Sequence, residues 1–409
     1  MKNCIASVLF AGHILFAGPS VRGAASSAPR VFRSDPQAMV SERDRALAKD
    51  PALEAPLKRL LKDADKLLDA PPLAVTQKKQ PSPTGDPHDY ISLAPYFWPN
   101  PNTPDGLPYV RHDGRHNPET KEYDAPNFGA MSGRCYTLAL AYYLSGNEAY
   151  AERATLSLRA WFLDPATRMY PNFDHAQLIK GVNSGRGTGV LEADRLLDVV
   201  DAIGLLQGSK SWTVELNDGM QAWFKEFVQW MYQSKGGQDE SAAKNNHGTW
   251  FDVQFVTYLF FVGDESTAKH ALEEAKTKRI ASQIQPDGTL PLELARTNSL
   301  GYSVFDLTAF THLADLGRQV GVDLWTYQTS DGRSIRAAAD YLLPYLTGEK
   351  KWDRSQISKF NESSAIDAFR RISARFEDPK YTQLIVKLRE ATSSFEYDEI
   401  RTPLQARHP

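Results

Sequence analysis

Cysteine is nearly absent from this chain of 409 residues, which contains only Cys4 and Cys135. Cys4 lies in an N-terminal segment that we expect to be removed, so the mature chain would keep one thiol and form no intrachain disulfide. Excess charge of either sign is also missing, because 47 Lys and Arg face 50 Asp and Glu and the formal net charge is −3. Without a Lys/Arg run to override that balance, the sequence argues against a general nucleic-acid binder.

Long apolar runs are missing after the N-terminus. Lys2, an apolar run over residues 5–16 and the small residues 23–25 are together typical of a secretory signal peptide, which is too short to span a membrane as a helix. We therefore predict that residues 1–25 are a signal peptide, that the protein is periplasmic or secreted, and that it does not insert into a membrane after signal removal. Hydrophobic residues make up 42% and charged residues 24%, which is ordinary for a globular protein. Residues 26–409 are expected to form a single domain.

Strand patterns are scarce, and residues 289–294 are the one stretch that suggests a short extended piece. Residues 142–148 and 260–265 share a sequence pattern, in which an apolar helix end is followed by Gly, then Asn or Asp, then Glu. Gly suits the end of one helix and Asn or Asp the start of the next, so the pattern predicts antiparallel helical hairpins. Helices are predicted over 37–50, 52–68 and 212–232, and almost everywhere from about Phe128 onward.

The predicted fold is therefore all-α. Hairpins of this kind close naturally into an (α/α) toroid, an incomplete barrel with an open cleft, and an open solenoid is the alternative. Residues 70–127 differ from the rest because prolines and aromatic residues crowd together there. A long irregular segment inside a compact domain is usually functional or disordered, and the aromatic residues argue against disorder.

The richest chemical pattern in the chain consists of Asn245, Asn246, His247 and Trp250, followed by Arg296 and Tyr302. The apolar residues after His247 predict a buried helix that places Asn246 and His247 at its positive N-terminal end, where an anionic carboxylate fits. An amide and a guanidinium can neutralise that carboxylate. An imidazole or phenolate can then remove the proton from the neighbouring carbon, and a phenol can protonate the departing oxygen. The alternative is structural, with Asn246 capping the helix and His247 buried in the core.

Sugar rings present apolar faces to aromatic side chains, and arginine binds carboxylates in a fork. Packing and surface solvation are the alternatives for such residues. His112, Asp113 and His116 resemble metal ligands in type, but Gly114 and Pro118 prevent them from sharing one helical face, so we predict no metal. The residues predicted to contact substrate are Tyr96, Trp98, Tyr109, Arg111, Arg186, Asn245 and Trp250.

Residues 244–250, 293–297 and 301–303 resemble the alginate lyase superfamily of polysaccharide lyases. Residues 90–99 and 106–114 resemble the branch that includes glucuronan lyases, and the whole resemblance extends over about 88–310. It implies an (α/α) toroid and β-elimination on a polyuronate, with an anionic uronic-acid polysaccharide as the partner. The run Gly248-Thr249-Trp250 departs from the alginate lyase group, so alginate itself is not fixed as the substrate.

The expected reaction removes the C5 hydrogen of a β-1,4-linked uronate and expels O4. Asn246 and Arg296 would neutralise the carboxylate, Tyr302 would act as the acid, and either Tyr302 or His247 would act as the base. Glucuronan and polymannuronate remain equal candidates because their sugars differ only at C2, and no metal or organic cofactor is required. Two other functions stay open, a glycoside hydrolase with a carboxylate pair such as Glu293 and Asp306, and a non-catalytic envelope polysaccharide-binding protein.

Overall fold

The structure is a computed structural model that describes residues 28–391 and 399–404. The predicted signal peptide lies outside these residues. The described helices are α1 (Pro36–Leu47), α2 (Pro51–Asp65), α3 (Ala125–Ser145), α4 (Glu148–Leu158), α5 (Arg195–Leu206), α6 (Val214–Gln233), α7 (Lys235–Ser241), α8 (Asn246–Val262), α9 (Glu265–Ala275), α10 (Pro291–Leu294), α11 (Ser299–Gln319), α12 (Ile335–Leu346), α13 (Ile366–Arg375) and α14 (Pro379–Ala391). The described strands are β1 (Ile91–Leu93), β2 (Phe97–Trp98), β3 (Val110–Arg111) and β4 (His175–Leu178).

Both predicted boundaries between consecutive helices are confirmed. Gly146 ends α3 in the left-handed conformation, with φ of 72°, and the side chain of Asn147 caps α4 by accepting from the amide of Ala149. Gly263 ends α8 in the same way, with φ of 84°, and Asp264 caps α9. These two glycines reach the conformation without a Cβ penalty, so α3 with α4 and α8 with α9 pack as neighbouring helices.

Helix α8 lies at the centre of the packing. It contacts α6, α7, α9 and α11, and every one of its residues except His247 and Val262 is buried. A helix that is apolar on all sides belongs in the core of a large domain. His247 is therefore the one residue in the first turn of α8 whose side chain reaches an open surface.

The segment 70–127 is mostly irregular, as predicted, but it contains short strands. β1 pairs in parallel with β4, and β2 pairs antiparallel with β3. The amide of His112 donates to the carbonyl of Tyr96 at 2.7 Å, which extends the β2–β3 register by one step. These pairings rest on a small apolar cluster of their own, formed by Ile91, Leu93, Ala94, Tyr109, Tyr123 and Ile179. The segment is thus a folded layer that carries Tyr96 and Asp113 at fixed positions.

The extended piece predicted at residues 289–294 is wrong. Pro291–Leu294 is the short helix α10, and Pro291 opens it. The fixed φ of proline suits the first turn of a helix, and its missing N–H is not needed there. A turn from Gln285 to Thr289 precedes it. Helix α10 matters because it places Glu293 directly beside the start of α8.

No helix in the described part of the chain is long and apolar enough to cross a membrane.

Candidate active site

The first turn of α8 is held by a carboxylate from α10. Glu293 is 1% exposed, and one of its oxygens accepts the backbone N–H of Asn246 at 2.7 Å. The amide nitrogen of Asn246 also lies 2.8 Å from both Glu293 oxygens. A carboxylate at a helix N-terminus is stabilised by the free N–H groups and the helix dipole. Glu293 therefore fixes the position of Asn246 and, through the backbone, the position of His247.

His247 forms a dyad with a buried glutamate of α7. Its Nδ1 lies 2.5 Å from Oε1 of Glu240, whose side chain is 1% exposed. A carboxylate in this position accepts the proton of Nδ1, so the lone pair is left on Nε2. The imidazole itself is 19% exposed. The dyad gives a partly open imidazole one fixed tautomer and a negative partner for any positive charge it acquires.

Arg296 and Tyr302 form a stacked pair. The guanidinium carbon of Arg296 lies 3.7 Å from the centre of the Tyr302 ring, in contact with its face. Asp113, from the loop after β3, accepts two hydrogen bonds from Arg296, at 2.8 and 3.1 Å. The same carboxylate accepts the amide and hydroxyl of Thr297. These contacts lower the pKa of Asp113 well below its usual value. Asp113 is thus ionised and holds Arg296 over the tyrosine.

The hydroxyl of Tyr302 meets the hydroxyl of Tyr96 at 2.6 Å. Burial and the contact with Tyr96 raise the pKa of Tyr302 above its ordinary value, although the charge of Arg296 acts in the opposite direction. The phenol is therefore neutral at physiological pH. A neutral phenol can donate a proton without any shift of its pKa, whereas a base would have to start from the phenolate.

The four predicted catalytic residues lie in one neighbourhood. Helices α8 and α11 pack against each other, and their first turns carry Asn246 with His247 and Tyr302. Burial raises the pKa of Glu293, and the nearby charges of Arg296 and His247 act in the opposite direction. Arg296 in turn covers Tyr302. Glu293 and Arg296 thus connect the first turn of α8 with Tyr302, and the guanidinium supplies a positive charge that suits an anionic group.

A buried ion pair stabilises the start of α8. Arg279 and Asp252 pair at 2.8 Å, and their side chains are 1% and 6% exposed. Arg279 also donates to the carbonyls of Ser241 and Ala243, which closes the turn between α7 and α8. A Cβ on Gly248 would overlap the guanidinium of Arg279 and the carbonyl of Ala243. Glycine is required at this position so that the turn can pack closely enough to present His247.

The other predicted contact residues divide into two groups. Tyr96 touches Tyr302. Trp98 is partly exposed and donates from its indole to the carbonyl of Arg115 at 2.9 Å. Arg111 is exposed and binds Asp113 at 2.7 Å. Tyr96 and Trp98 lie on one face of the β2–β3 layer, whereas Arg111 pairs with Phe97 and so lies on the opposite face, from which it reaches Asp113.

Arg186 belongs with this first group. Its guanidinium donates to Gln177 at 2.6 Å and lies over the ring of Phe97. Burial and the charge of Arg111 lower the pKa of Arg186, while Glu240 acts to raise it. Arg186 is therefore a neighbour of both the β2–β3 layer and the His247 dyad. Gln177 is held at a positive φ of 50°, which is unusual for a residue with a side chain and is typical of functional sites.

Tyr109 and Trp250 are placed for structural roles. Tyr109 is 8% exposed, and its hydroxyl donates to Glu119. Trp250 is 7% exposed and stacks on Phe305 with ring centres 5.0 Å apart. Asn245 is half-buried at the N-cap position of α8, and its side chain makes no capping hydrogen bond, so its predicted contact with substrate stays a prediction. Packing, the alternative weighed for the aromatic residues, describes Tyr109 and Trp250 better than contact with a substrate.

Sequence reasoning missed the carboxylates that hold the predicted catalytic residues. Glu240, Glu293 and Asp113 were either unremarked or given other roles, yet each accepts from one catalytic side chain. Asp113 was weighed as a metal ligand, but its partners are Arg296 and Thr297. Among residues 28–391 and 399–404, no group of His, Cys, Asp and Glu is arranged to hold a metal ion. Buried charges require partners, which was the one signal that could have pointed to these acids.

Comparison with known proteins agrees with this geometry. Residues 74–352 match the sequence model of the family described as alginate lyase. The chain belongs to the alginate lyase family. The structure of an alginate lyase from Bacteroides ovatus is 37% identical, with a TM-score of 0.87, over 91% of this chain and 98% of that chain. No curated protein matches.

Two further structures share the fold at lower identity. Alginate lyase A1-III complexed with a tetrasaccharide is 18% identical with a TM-score of 0.58, over 87% of this chain and 92% of its own. Alginate lyase A1-III from Sphingomonas species A1 is 17% identical with a TM-score of 0.50, over 85% and 90%. This alginate lyase family member is an (α/α) toroid and a polysaccharide lyase, as predicted.

Proposed function

We propose that the protein cleaves β-1,4-linked polyuronates, either polymannuronate blocks of alginate or glucuronan, by β-elimination. The arrangement that supports this most is the Arg296–Tyr302 pair beside Asn246 and His247 at the first turns of α8 and α11. The relative that is 37% identical is named an alginate lyase, which favours a uronate polymer as the substrate. A group of side chains of this kind is suited to one carboxylate and one leaving oxygen.

In this proposal Asn246 and Arg296 bind the substrate carboxylate and stabilise the negative charge that develops when C5 loses its hydrogen. Nε2 of His247 removes that hydrogen, and Glu240 stabilises the imidazolium that results. Tyr302 donates its phenolic proton to O4 as the C4–O4 bond breaks. The products are a new non-reducing end with a C4–C5 double bond and a new free hydroxyl. Two observations support His247 as the base: the Glu240 contact and the neutral state of Tyr302.

Mannuronate and glucuronate share the same geometry at C4 and C5, which explains why polymers of both remain candidate substrates. In β-linked mannuronate and glucuronate the C5 hydrogen and O4 lie on the same face, so one group of side chains can reach both. In guluronate the configuration at C5 is inverted. We therefore expect cleavage of polymannuronate, glucuronan or both, and much slower cleavage of polyguluronate.

The test is to incubate the protein with each of these three polymers and to follow the ultraviolet absorbance of the conjugated double bond. Tyr302→Phe is expected to abolish product formation. Tyr327→Phe is the matched control, because Tyr327 is also partly buried but lies beside Lys276, away from the site. Reducing ends that form without the absorbance, or a fast reaction on polyguluronate, would contradict the proposal. We further propose that the chain acts after export, as a secreted or periplasmic enzyme.

A further inference from the structure

The amide of Asn246 is turned the wrong way to bind a carboxylate. Its nitrogen, the donor, faces Glu293 at 2.8 Å from both oxygens. Its carbonyl oxygen is buried and finds no hydrogen-bond partner among the described residues. An unpaired buried acceptor is costly. In this orientation a substrate carboxylate that approached Asn246 from the side away from Glu293 would meet an oxygen atom, which repels it.

A second buried acid lies behind Glu293. Asp306 of α11 is 0% exposed, and within the described residues neither of its oxygens has a hydrogen-bond partner. The charge of Glu293 acts on Asp306, and burial with that charge raises the pKa of Asp306 well above its usual value. Burial likewise raises the pKa of Glu293. Two adjacent buried carboxyl groups do not both ionise at neutral pH.

Arg296 and His247 favour an ionised Glu293 in the free enzyme, but the negative charge of a bound substrate carboxylate disfavours it. The positive charge of Arg296 is already matched by Asp113, and Glu240 stands beside His247. An ionised Glu293 would therefore add a negative charge to a site that must accept a carboxylate. The groups that face the two acids are Asn246, His247 and Arg296 around Glu293, and Thr249 and Arg279 around Asp306.

We propose that Glu293 is a neutral carboxylic acid in the substrate-bound enzyme, and that its proton is donated to the carbonyl oxygen of Asn246. This bond requires the Asn246 amide to rotate by half a turn, which directs its N–H group at the substrate carboxylate. The other oxygen of Glu293 continues to accept the backbone N–H of Asn246. Glu293 is then a positioning residue that acts through Asn246. The inference rests on the proposed function, because it concerns how the same carboxylate is bound.

The proton comes from solvent and not from Asp306. Asp306 stays protonated throughout, because its oxygens are fully buried and the effects of burial and of the neighbouring Glu293 outweigh those of Thr249 and Arg279. Substrate binding therefore brings one carboxylate and one proton into the site together. The net charge of the buried region does not change on binding, which is the physical advantage of the arrangement.

The first test replaces Glu293 by glutamine, which has the same shape and cannot ionise. Its amide N–H can donate to the Asn246 oxygen and its carbonyl can accept the backbone N–H, so Glu293→Gln imitates the neutral acid. We expect kcat/KM at neutral pH to stay within about threefold of the unmodified enzyme. We also expect kcat/KM to fall less as pH rises, because the unmodified enzyme must keep Glu293 protonated and the variant has no proton to lose.

Asn246→Ala and Glu293→Ala are the comparison variants. Asn246→Ala removes the amide and Glu293→Ala removes the group that orients it, so both are expected to lower kcat by about 100-fold or more, as the loss of one preorganised donor does. A Glu293→Gln variant as inactive as Glu293→Ala, with an unchanged melting temperature, would overturn the inference, because an ionised Glu293 would then be needed. Failure of the proposed function is distinguishable, since the unmodified enzyme itself would give no unsaturated product.

The second test does not depend on turnover. The infrared difference spectrum of Tyr302→Phe, with and without an unsaturated oligouronate, is expected to gain the carbonyl band of a protonated carboxylic acid. The same spectrum of the Glu293→Gln, Tyr302→Phe double variant is expected to lack that gain. An equal band in both variants, or no band in either, would show that Glu293 does not take up the proton.

Discussion

Replacing Glu240 by glutamine tests whether His247 is the base. The carboxylate of Glu240 lies 2.5 Å from Nδ1 of His247, and its side chain is 1% exposed. In Glu240→Gln the amide oxygen can still accept the Nδ1 proton, so the tautomer of the ring is kept. What is lost is the negative charge that would stabilise an imidazolium formed when Nε2 takes the C5 hydrogen.

The size of the effect follows from the geometry. Two unit charges about 4 Å apart interact by about 4 kcal/mol at an effective dielectric constant of about 20, which is suited to such a site. About 1.4 kcal/mol corresponds to a tenfold change in rate, so the full interaction is worth a factor of about 1,000. Part of this is recovered because the amide keeps its hydrogen bond. We therefore expect kcat to fall by about 100-fold to 1,000-fold, with a much smaller change in KM.

The assay measures the initial rate of double-bond formation at saturating polymer, together with the melting temperature of each variant. Asp239→Asn is the matched control, because Asp239 is the adjacent acid of α7 but is exposed and pairs with Lys235 on the surface. It should leave kcat unchanged. A decrease of less than about tenfold in a stably folded Glu240→Gln would refute the reasoning, since it would mean that no charge develops on His247 and that Tyr302 is the base.

Three further changes test the rest of the site. Tyr302→Phe should keep the ring under Arg296 but lower kcat by at least about 1,000-fold. In the unmodified enzyme the phenolate absorbance of Tyr302, identified as the part that Tyr302→Phe lacks, should appear only above the ordinary pKa of a phenol, because burial raises the pKa of Tyr302. Formation of that phenolate near neutral pH would contradict the role of Tyr302 as a neutral acid. Asp113→Asn weakens two charge-assisted bonds to Arg296, so KM should rise about tenfold or more, and an unchanged KM would show that Arg296 needs no support. Gly248→Ala places a Cβ against Arg279; it should lower the free energy of unfolding by about 1–3 kcal/mol, measured by denaturant titration, and an unaltered midpoint would mean that the turn can move.

Local residue chemistry was enough to predict most of the helices. Gly146 with Asn147, and Gly263 with Asp264, end one helix and begin the next by backbone rules that need no tertiary contact. The apolar run after His247 likewise defined α8 to within a residue of its observed start. The prediction of an extended piece at residues 289–294 failed because apolar spacing over six positions does not distinguish a strand from one helical turn. Proline at the start of α10 decided the outcome.

The candidate catalytic residues were also identified from the sequence, because an amide, imidazole, guanidinium and phenol together serve few reactions. The orientation of each one was not readable. Glu240, Glu293 and Asp113 hold His247, Asn246 and Arg296 across separations in the chain from 7 to 183 residues. Such pairings depend on how α7, α8, α10 and the β2–β3 layer pack, and no local pattern encodes them.

The sequence by itself determined the helical hairpins, the class of reaction and the four side chains that could perform it. The tertiary structure decided which of these side chains carry partners, that Tyr302 is neutral, that Trp250 and Tyr109 are packed in apolar clusters, and that the Asn246 amide faces a buried acid. The physical reason is the distance along the chain over which each interaction acts. Helix propensity and capping act over a few residues, whereas burial and the Coulomb energy of a charge depend on every group that the fold brings around it.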